Sequence, residues 1–410
     1  MADVQLPEIT SDHPDVPTST ESPKKSSFNK LGIRPFYSIY YAAQGILIPN
    51  SPVFLSSFNL TGFQMSIAIM LGPLSSILTI PVGFLADKNK SANKVLLYCV
   101  TLATIFLSFL LFADTVVTLI LGYGAYALFN AMLIPLSDSL AIAEARQTNK
   151  TYSSLRIYGS VFFVIVNLAF GQYYSRYEKP LSIPLFGLVG LAVSVIVAIF
   201  LDSKSSHGSV EIPSLQDAKR LLSNKILVLF LVAGSIHWCS LQSYILLFSV
   251  HMRDIESPGA FASYGWSMAV FGEILLLVLF SRFKKGTNWL RIVGISMLLG
   301  AVRWFITAIF TSLPLLIVVA QFLHAATFAT FHCGSIEYME HLVPASLRTT
   351  GRSMYNLFVM GIGGVCGQLL SGWLYDIGGG RASFLASAGL ELVAPLFLII
   401  VGVLTRRNSN

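Results

Sequence analysis

The chain has 410 residues, of which 54% are hydrophobic and only 11% are charged, and its formal net charge is +7 at neutral pH. A soluble protein of this length needs far more charge on its surface, so the composition excludes that class. The apolar residues fall in runs of roughly 20, the length that crosses the hydrocarbon core of a bilayer as a helix. The chain is therefore predicted to be an all-α, multi-pass membrane protein with the lipid bilayer as a partner.

Twelve hydrophobic spans are predicted after an N-terminal tail, residues 1–32, which is rich in Pro, Ser and Thr and is expected to be disordered. The tail has no long apolar stretch, which excludes a cleaved signal peptide. A longer connector after the sixth span contains L-Q-D-A-K-R-L-L, which favours a short amphipathic helix on the membrane surface. The spans are expected near residues 33–57, 61–86, 92–112, 115–143, 153–175, 182–201, 225–250, 259–281, 288–310, 313–341, 349–375 and 382–404.

The predicted organisation is two six-helix halves. We place the first half at residues 33–201, a cytoplasmic connector at 202–224, the second half at 225–405 and a cytoplasmic tail at 406–410. The pattern S-L-R-x-x-G opens both the fifth and the eleventh span, which are equivalent places in the two halves. A short repeat of this kind is typical of transporters that are built from parallel repeats.

Lysine and arginine residues fall mainly on one side of the predicted bundle. If the N-terminus is cytoplasmic, only Arg176, Lys179, Arg253 and Arg381 reach the outer side, whereas the inner loops and tails are strongly basic. Positive residues concentrate on the cytoplasmic side of membrane proteins. Both termini are therefore predicted to be cytoplasmic, in a protein of the cell membrane. The basic charge reflects this bias, and no nucleic-acid partner is expected.

Two charged residues interrupt the fourth and fifth spans. Asp138 lies in P-L-S-D-S-L-A near the end of the fourth span, and Arg156 opens the fifth in R-I-Y-G-S-V. An ionisable side chain inside a membrane is expensive unless it is paired or faces water, so it marks a functional site by default. We expect both residues to contact a solute, with a gate or a structural ion pair as the alternative. Glu144 is interpreted as a loop charge that points to the opposite side of the helix.

Further polar residues line the first span. Tyr37, Tyr40, Tyr41 and Gln44 recur at helical spacing and form one stripe. Tyrosine and glutamine are unusual against lipid tails but suit a water-filled cavity, although tyrosine also occurs at the membrane interface. Tyr41 and Gln44 lie deeper in the span than Tyr37, so these two are predicted to bind solute.

The order of the spans and one loop motif resemble the major facilitator superfamily. Gly83, Asp87 and Lys88 match the G-x-x-x-D-[RK] motif of that superfamily in the loop after the second span, where it is associated with gating. Within the superfamily, the sequences around Asp138 and Arg156 resemble the lactose-permease-like branch, which includes the phenylpropionate permeases. The resemblance implies two pseudo-symmetric six-helix halves and transport by alternating access.

The same resemblance assigns roles to individual residues. It implies that Asp138 and Arg156 bind substrate, and that Phe163 occupies the position of an aromatic residue that stacks on a sugar. In the second half, Glu273, Arg303 and His324 fall at spacings similar to those of the residues that couple protons to transport in lactose permease.

One departure from the family pattern shifts the expected proton site. The family places a proton-carrying Glu three residues after the histidine, where this chain has Thr327, and so Glu273 or His324 becomes the expected proton site. Arg303 has an alternative role, because it could form a structural pair with Glu391.

These observations predict a secondary transporter of a small organic solute, such as a sugar, a nucleoside or an aromatic carboxylic acid. Proton-coupled symport by a monomer is favoured, and a proton-driven exporter or a uniporter of the same fold is the alternative. An integral-membrane enzyme is a remote third class, because the sequence lacks H-E-x-x-H, G-x-S-x-G and phosphate-binding motifs. The four cysteines show no metal-ligand spacing, so neither a metal nor a cofactor is expected.

Overall fold

The structure is a computed structural model, and it describes residues 31–77, 92–148, 150–201, 215–280 and 287–409. The proposed gating motif, Gly83, Asp87 and Lys88, lies outside these residues, as do nearly all of the N-terminal tail and most of the connector between the halves. The described residues form helices throughout, apart from turns and a single bridge between Leu31 and Leu201.

Each of the twelve predicted spans contains a helical rod of the described residues, although the second span is described only as far as residue 77. Eight continuous helical stretches of the described residues are long and apolar enough to cross a membrane, and the last of these contains two rods. Those two separate at Gly379, whose φ of 63° is readily adopted only by glycine. The rods are α1 Ile33–Ser56, α2 Gly62–Leu74, α3 Ala92–Phe109, α4 Val116–Thr148, α5 Tyr152–Tyr177, α6 Ser182–Ile199, α7 Lys225–Asp254, α8 Phe261–Phe280, α9 Trp289–Ile309, α10 Pro314–Leu342, α11 348–378 and α12 380–409.

The rods pack as two groups of six. In the first group α1 lies against α5 and α6, and α3 lies against α4 and α6. In the second group α7 packs along α11 and α12, and α9 packs against α10 and α12. Large apolar side chains such as Leu121, Leu315 and Ile399 stay more than 60% exposed on the outside of the bundle. Such an apolar surface is favourable only in contact with lipid tails. The exposed apolar side chains therefore indicate a membrane protein.

The predicted amphipathic helix of the connector is present as Leu215–Leu222. Its Leu221 is buried, and it belongs to the hydrophobic core of the second half together with Leu227 and Phe230 of α7. The short helix also packs against the beginning of α11. The connector therefore adjoins the second half at its C-terminal end.

The two halves are joined firmly at one end of the bundle. We call the end that contains Thr61, Arg253 and Asp376 the Asp376 end, and the opposite end, with Ile33, the Glu144 end. The carboxylate of Asp376 accepts hydrogen bonds from the backbone N–H groups of Gly62 and Phe63, at 2.5 and 2.9 Å. These N–H groups begin α2, and helix N-termini favour a negative partner. The acid of α11 thus caps a helix of the other half.

Close backbone approach accompanies this cap. A Cβ atom on Gly372 of α11 would overlap the carbonyl oxygen of Gly62, so any larger residue would force the two helices apart. Further along the same interface, the Asn167 side chain of α5 donates to the Ser263 carbonyl and the Ser267 hydroxyl of α8, at 2.8 and 2.9 Å. Hydrogen bonds between the halves therefore cluster toward the Asp376 end.

The position of Glu144 differs from the one predicted from the sequence. Instead of being a loop charge, it lies within α4, is only 7% exposed, and accepts a hydrogen bond from the Ile33 N–H at 2.7 Å. The reason is that α4 continues to Thr148, and the N-terminus of α1 packs over the extra turn. Glu144 stabilises the first unpaired N–H of α1.

Candidate functional site between the halves

Asp138 and Arg156 are brought together as the sequence predicts. Arg156 Nε lies 3.7 Å from Asp138 Oδ1, and each side chain keeps 27% of its surface exposed. Arg156 occupies the second turn of α5, which follows α4 through a short connection, so the two helices run side by side in opposite directions. A fully buried ion pair would leave no surface for a ligand, whereas this one is accessible.

Tyrosines of α1 complete the surroundings of the pair. The Tyr37 hydroxyl donates to Asp138 Oδ1 at 2.6 Å. The guanidinium carbon of Arg156 lies 4.1 Å from the ring centroid of Tyr41 and 5.4 Å from that of Tyr37. Cation–π contacts of this geometry hold an arginine in place without using its N–H groups. The Arg156 side chain is therefore oriented in advance while donors stay available.

The remaining solute contacts predicted in the first half separate into two groups. Tyr41 stays a candidate, because its buried hydroxyl has no hydrogen-bond partner among the residues that the structure describes. Gln44 is fully buried and exchanges hydrogen bonds with the Asn130 side chain of α4 at 3.0 and 3.2 Å, so it joins two helices and does not line a cavity. Phe163 is 6% exposed and lies in the core, where its backbone carbonyl approaches Gly45 of α1.

Glu273 of α8 faces the same region from the second half. It is partly exposed, and the charge of Arg156 acts on it across the interface. Tyr41 of α1 and Cys333 of α10 also lie within electrostatic reach of its carboxylate. No hydrogen bond or ion pair joins Glu273 to another residue that the structure describes. Glu273 is thus an acid of the second half within electrostatic reach of Arg156, whose ion pair is with Asp138.

An aromatic surface in the second half was not predicted. We call it the aromatic shelf, and it consists of Trp238 on α7 with His324 and Phe328 on α10. The rings of His324 and Phe328 are stacked at 5.1 Å, and Trp238 lies 5.8 Å from Phe328. All three side chains are partly exposed. The i, i+4 spacing of His324 and Phe328 could have indicated a shared face, but the sequence does not show what that face meets.

Arg303 lies behind the shelf in a dense set of contacts and is fully buried. Its Nε donates to the Gln321 side chain at 2.9 Å, and its Nη1 contacts His324 Nδ1 at 3.0 Å and the Thr327 hydroxyl at 3.1 Å. Arginine has no acceptor, so His324 Nδ1 must accept this hydrogen bond and carries no proton. This contact argues against His324 as a proton carrier while Arg303 holds it.

Glu391 of α12 pairs with a histidine and not with Arg303. Its Oε2 lies 2.7 Å from His237 Nδ1, and its Oε1 accepts a hydrogen bond from the Ser240 hydroxyl. His237 Nε2 is 2.8 Å from the Thr327 carbonyl oxygen, so that nitrogen carries a proton. The structural pair considered between Arg303 and Glu391 therefore does not form directly.

A local change in helix geometry explains these contacts. Residues Ala325–Thr330 of α10 form a π-helical turn, which widens the helix and redirects the backbone around Thr327. The Thr327 carbonyl accepts from His237, while its hydroxyl accepts from Arg303. We call the set Arg303, His324, Thr327, His237 and Glu391 the buried network.

Comparison with known proteins identifies the chain. The model of the MFS_1 like family matches residues 31–386. The chain belongs to this family. It is 27% identical over 318 residues to the probable 3-phenylpropionic acid transporter of Escherichia coli (strain K12), covering 74% of this chain and 80% of the relative. It is 24% identical over 349 residues to the uncharacterized transporter YwbF of Bacillus subtilis (strain 168), covering 84% and 86%.

The fold of this MFS_1-like protein is also that of solved transporters. The crystal structure of the nucleoside transporter NupG superposes with a TM-score of 0.78 over 90% of this chain and 98% of that one, at 16% sequence identity. The MFS_1-like chain is thus an integral, multi-pass membrane transporter of small solutes, with twelve helices in two halves, and it is not an enzyme. Among the described residues, no cluster of His, Cys, Asp and Glu side chains is arranged to hold a metal ion.

Proposed function

We propose that the protein carries a small organic solute across the cell membrane by alternating access, and that the solute binds at Asp138, Arg156 and Tyr41. The observation that carries this proposal is the position of the cluster between the halves. Asp138 and Arg156 belong to the first half, Glu273 belongs to the second, and the pair is accessible. A ligand that bridges such groups is bound and released when the halves move against each other.

The contacts at the Asp376 end support a conformation closed on that side. The cap of Asp376 on α2 and the bonds of Asn167 to α8 hold the halves together there. Beyond these contacts, a cleft of about 520 Å³ at the Asp376 end is lined by residues of both halves, including Asn50 and Arg253. Alternating access requires these contacts to break, so that the cleft gives the second route to the site. The basic-loop bias supports a topology with the Asp376 end outside and both termini inside.

We further propose that transport is coupled to protons and that Glu273 is the coupling group. A carboxylate carries a proton through a cycle only if its proton affinity differs between the two conformations. Movement of the halves changes the distance between Glu273 and Arg156, the cation that acts on it. Arg303 has a supporting role, since it holds His324 and Thr327 in place on α10. An exporter or a uniporter is the alternative.

Uptake of a broad metabolite panel by cells that express the protein, compared with vector controls, tests transport itself. The panel includes sugars, nucleosides and aromatic carboxylic acids. Accumulation of one class supports the proposal, and its loss in the Arg156→Ala protein assigns the site. The solute is then added to everted or right-side-out vesicles while the external pH is recorded. A proton symporter raises the external pH, whereas a uniporter leaves it unchanged. Equal uptake by wild-type and Arg156→Ala cells would overturn the assigned binding site.

A further inference from the structure

We infer that the second half contains a second binding site, in a cavity between α10 and α11, and that this site takes a small organic anion with an apolar body. The cavity has a volume of about 220 Å³, and we call it the α10–α11 cavity. It lies at the Glu144 end of the bundle, because α11 begins there with Arg348 and runs to Asp376 at the other end. None of its lining residues belongs to the cluster of Asp138, Arg156 and Tyr41, so the inference goes beyond the proposed function.

The two helices give the cavity two unlike sides. The side formed by α10 is largely apolar, since Ile336, Met339 and Val343 recur at helical spacing and share one face. The side formed by α11 is polar and basic, and its residues also recur at helical spacing. They are Arg348, Arg352, Tyr355 and Asn356. A ligand in the cavity therefore meets hydrocarbon on one side and guanidinium groups on the other.

The two arginines differ in their partners. The Arg352 guanidinium donates to the carboxylate of Glu340 on α10, which also lines the cavity. No hydrogen bond or ion pair joins the Arg348 side chain to another residue that the structure describes. Two arginines thus face one carboxylate in the lining of the cavity, and an anionic ligand would balance the remaining positive charge.

The repeated motif S-L-R-x-x-G gives Arg348 a counterpart in the first half. Arg348 lies at the start of α11 as Arg156 lies at the start of α5. In each half, an acid of the preceding helix pairs with an arginine of this region, Asp138 with Arg156 and Glu340 with Arg352. The pair in the second half uses the arginine one turn further along the helix. Arg348, the counterpart of the arginine in the central pair, is therefore left for a ligand.

Two buried polar atoms beside the cavity have no hydrogen-bond partner among the described residues. They are the hydroxyl of Tyr355, a residue that is 2% exposed, and Nδ1 of His332. The Ser335 hydroxyl lies near Tyr355, but the two are not in hydrogen-bonding geometry. Buried polar atoms are nearly always paired in folded proteins. Tyr355 and His332 both line the cavity, and a carboxylate or phosphate oxygen would accept a hydrogen bond from the Tyr355 hydroxyl.

The volume of the cavity selects a compact ligand. An apolar cavity of about 150 Å³ is large enough for a benzene ring. The 220 Å³ of the α10–α11 cavity therefore accommodate a ring or a short alkyl chain together with one carboxylate or phosphate group. Two sources offer this chemistry, namely a free organic acid and the headgroup of an anionic lipid.

Protection of a cysteine in the cavity tests the site. Asn356, an exposed residue on the α11 side, is replaced by cysteine in a background that lacks the native cysteines, and its reaction with a maleimide is timed in detergent. A concentration of 3-phenylpropionate that slows this reaction about tenfold should be matched by less than about a twofold effect of 3-phenylpropanol, because only the acid gains charge-assisted hydrogen bonds from Arg348. A cysteine at Glu337, an exposed residue of α10 outside the cavity lining, is the control and should react at an unchanged rate.

Three further variants locate the effect. Protection of the cysteine at position 356 should persist with Arg156→Ala and disappear with Arg348→Gln. It should also persist with Arg291→Gln, which changes an exposed arginine at the start of α9. Loss of protection with Arg156→Ala would show that the acid acts from the central cluster, and it would overturn the second site. Equal protection by the acid and the alcohol, or protection that survives Arg348→Gln, would overturn it as well.

Nanodiscs distinguish the two sources of the anion. The same cysteine is labelled in phosphatidylcholine nanodiscs with and without phosphatidylglycerol, in the absence of 3-phenylpropionate. Slower labelling with phosphatidylglycerol, restored to the faster rate by Arg348→Gln, assigns the cavity to a lipid headgroup. An unchanged rate, together with protection by 3-phenylpropionate, assigns it to a free organic acid. Protection by neither the lipid nor the acid would overturn the inference.

Discussion

Each half of the transporter contains an ion pair, and the two pairs differ in how much of their surface is exposed. In the first half, Arg156 meets Asp138 at 3.7 Å, and each side chain keeps 27% of its surface exposed. In the second half, His237 meets Glu391 at 2.7 Å, and neither side chain has any exposed surface. Accessible groups can exchange a protein partner for a ligand, whereas fully buried groups cannot leave their partners without a large penalty. The first pair is therefore suited to binding and the second to holding helices.

The two pairs also differ in their further hydrogen-bond partners. Glu391 binds His237 of α7, and His237 in turn binds the π-helical turn of α10 through Thr327. Three helices are thereby fixed to one another. Arg156, in contrast, is held by its accessible ion pair with Asp138 and by the ring faces of Tyr41 and Tyr37.

Removing one partner of the buried pair should have the largest effect on stability. Glu391→Ala leaves His237 without its carboxylate, and the free energy of unfolding should fall by about 3–5 kcal/mol. Thermal unfolding in detergent measures this change. Asp114→Ala, at an exposed turn, serves as the control and should shift stability by less than about 0.5 kcal/mol. Wild-type stability combined with lost transport would assign Glu391 to the transport cycle instead.

Removing either partner of the accessible pair should weaken solute binding. Arg156→Ala and Asp138→Asn should each weaken solute binding by about 100-fold, close to 2.7 kcal/mol, because charged hydrogen bonds to the solute are lost. Stability should change by less than about 1 kcal/mol, since exposed ion pairs contribute little. Equilibrium binding and thermal unfolding of the same preparations separate the two effects. If the pair is only structural, stability falls instead, and exchanging the two charges restores it.

The cap between the halves should have an intermediate effect. Asp376→Asn removes the negative charge from the N-terminus of α2 and should weaken closure of the Asp376 end by about 1–2 kcal/mol. A cysteine at Ser263, which is buried beside α5, should then react faster with an impermeant maleimide in a background that lacks the native cysteines. Glu256→Gln, at the same end but in an exposed loop, is the matched control. Unchanged labelling would show that Asp376 does not hold this end closed.

The smallest effect is expected at Tyr41. Its hydroxyl is buried without a described partner, so Tyr41→Phe should leave the free energy of unfolding unchanged or slightly higher. If the hydroxyl meets the solute, affinity should fall by about 0.5–1.5 kcal/mol, the usual value of one hydrogen bond. Isothermal titration with the transported solute measures this change in affinity. The Tyr41→Leu variant also removes the ring, and so it tests whether the ring holds Arg156 in place. Unaltered affinity would remove the hydroxyl from the binding site.

The helices and the central pair could be predicted from the sequence because their causes are local. A backbone in lipid must satisfy its own hydrogen bonds, so each long apolar run becomes a helix. Asp138 and Arg156 were identified because charge is rare in such runs and because they lie on either side of one short connection.

The partners of Gln44, Glu144 and Glu391 could not be predicted in the same way. They depend on which helices lie side by side and on how each is rotated, and these depend on packing across the whole bundle. The π-helical turn that redirects Thr327 has no clear signal in the sequence either.

Transport by the Glu273→Gln protein in proteoliposomes tests most directly whether solute and proton meet at this cluster. The transported solute is followed with an imposed pH gradient and, separately, in exchange without a gradient. The expected result is that Glu273→Gln exchanges solute at nearly the wild-type rate but does not accumulate it, because the solute site is intact and the proton site is lost. Gradient-driven accumulation at the wild-type level by Glu273→Gln would contradict a coupling role for this carboxylate.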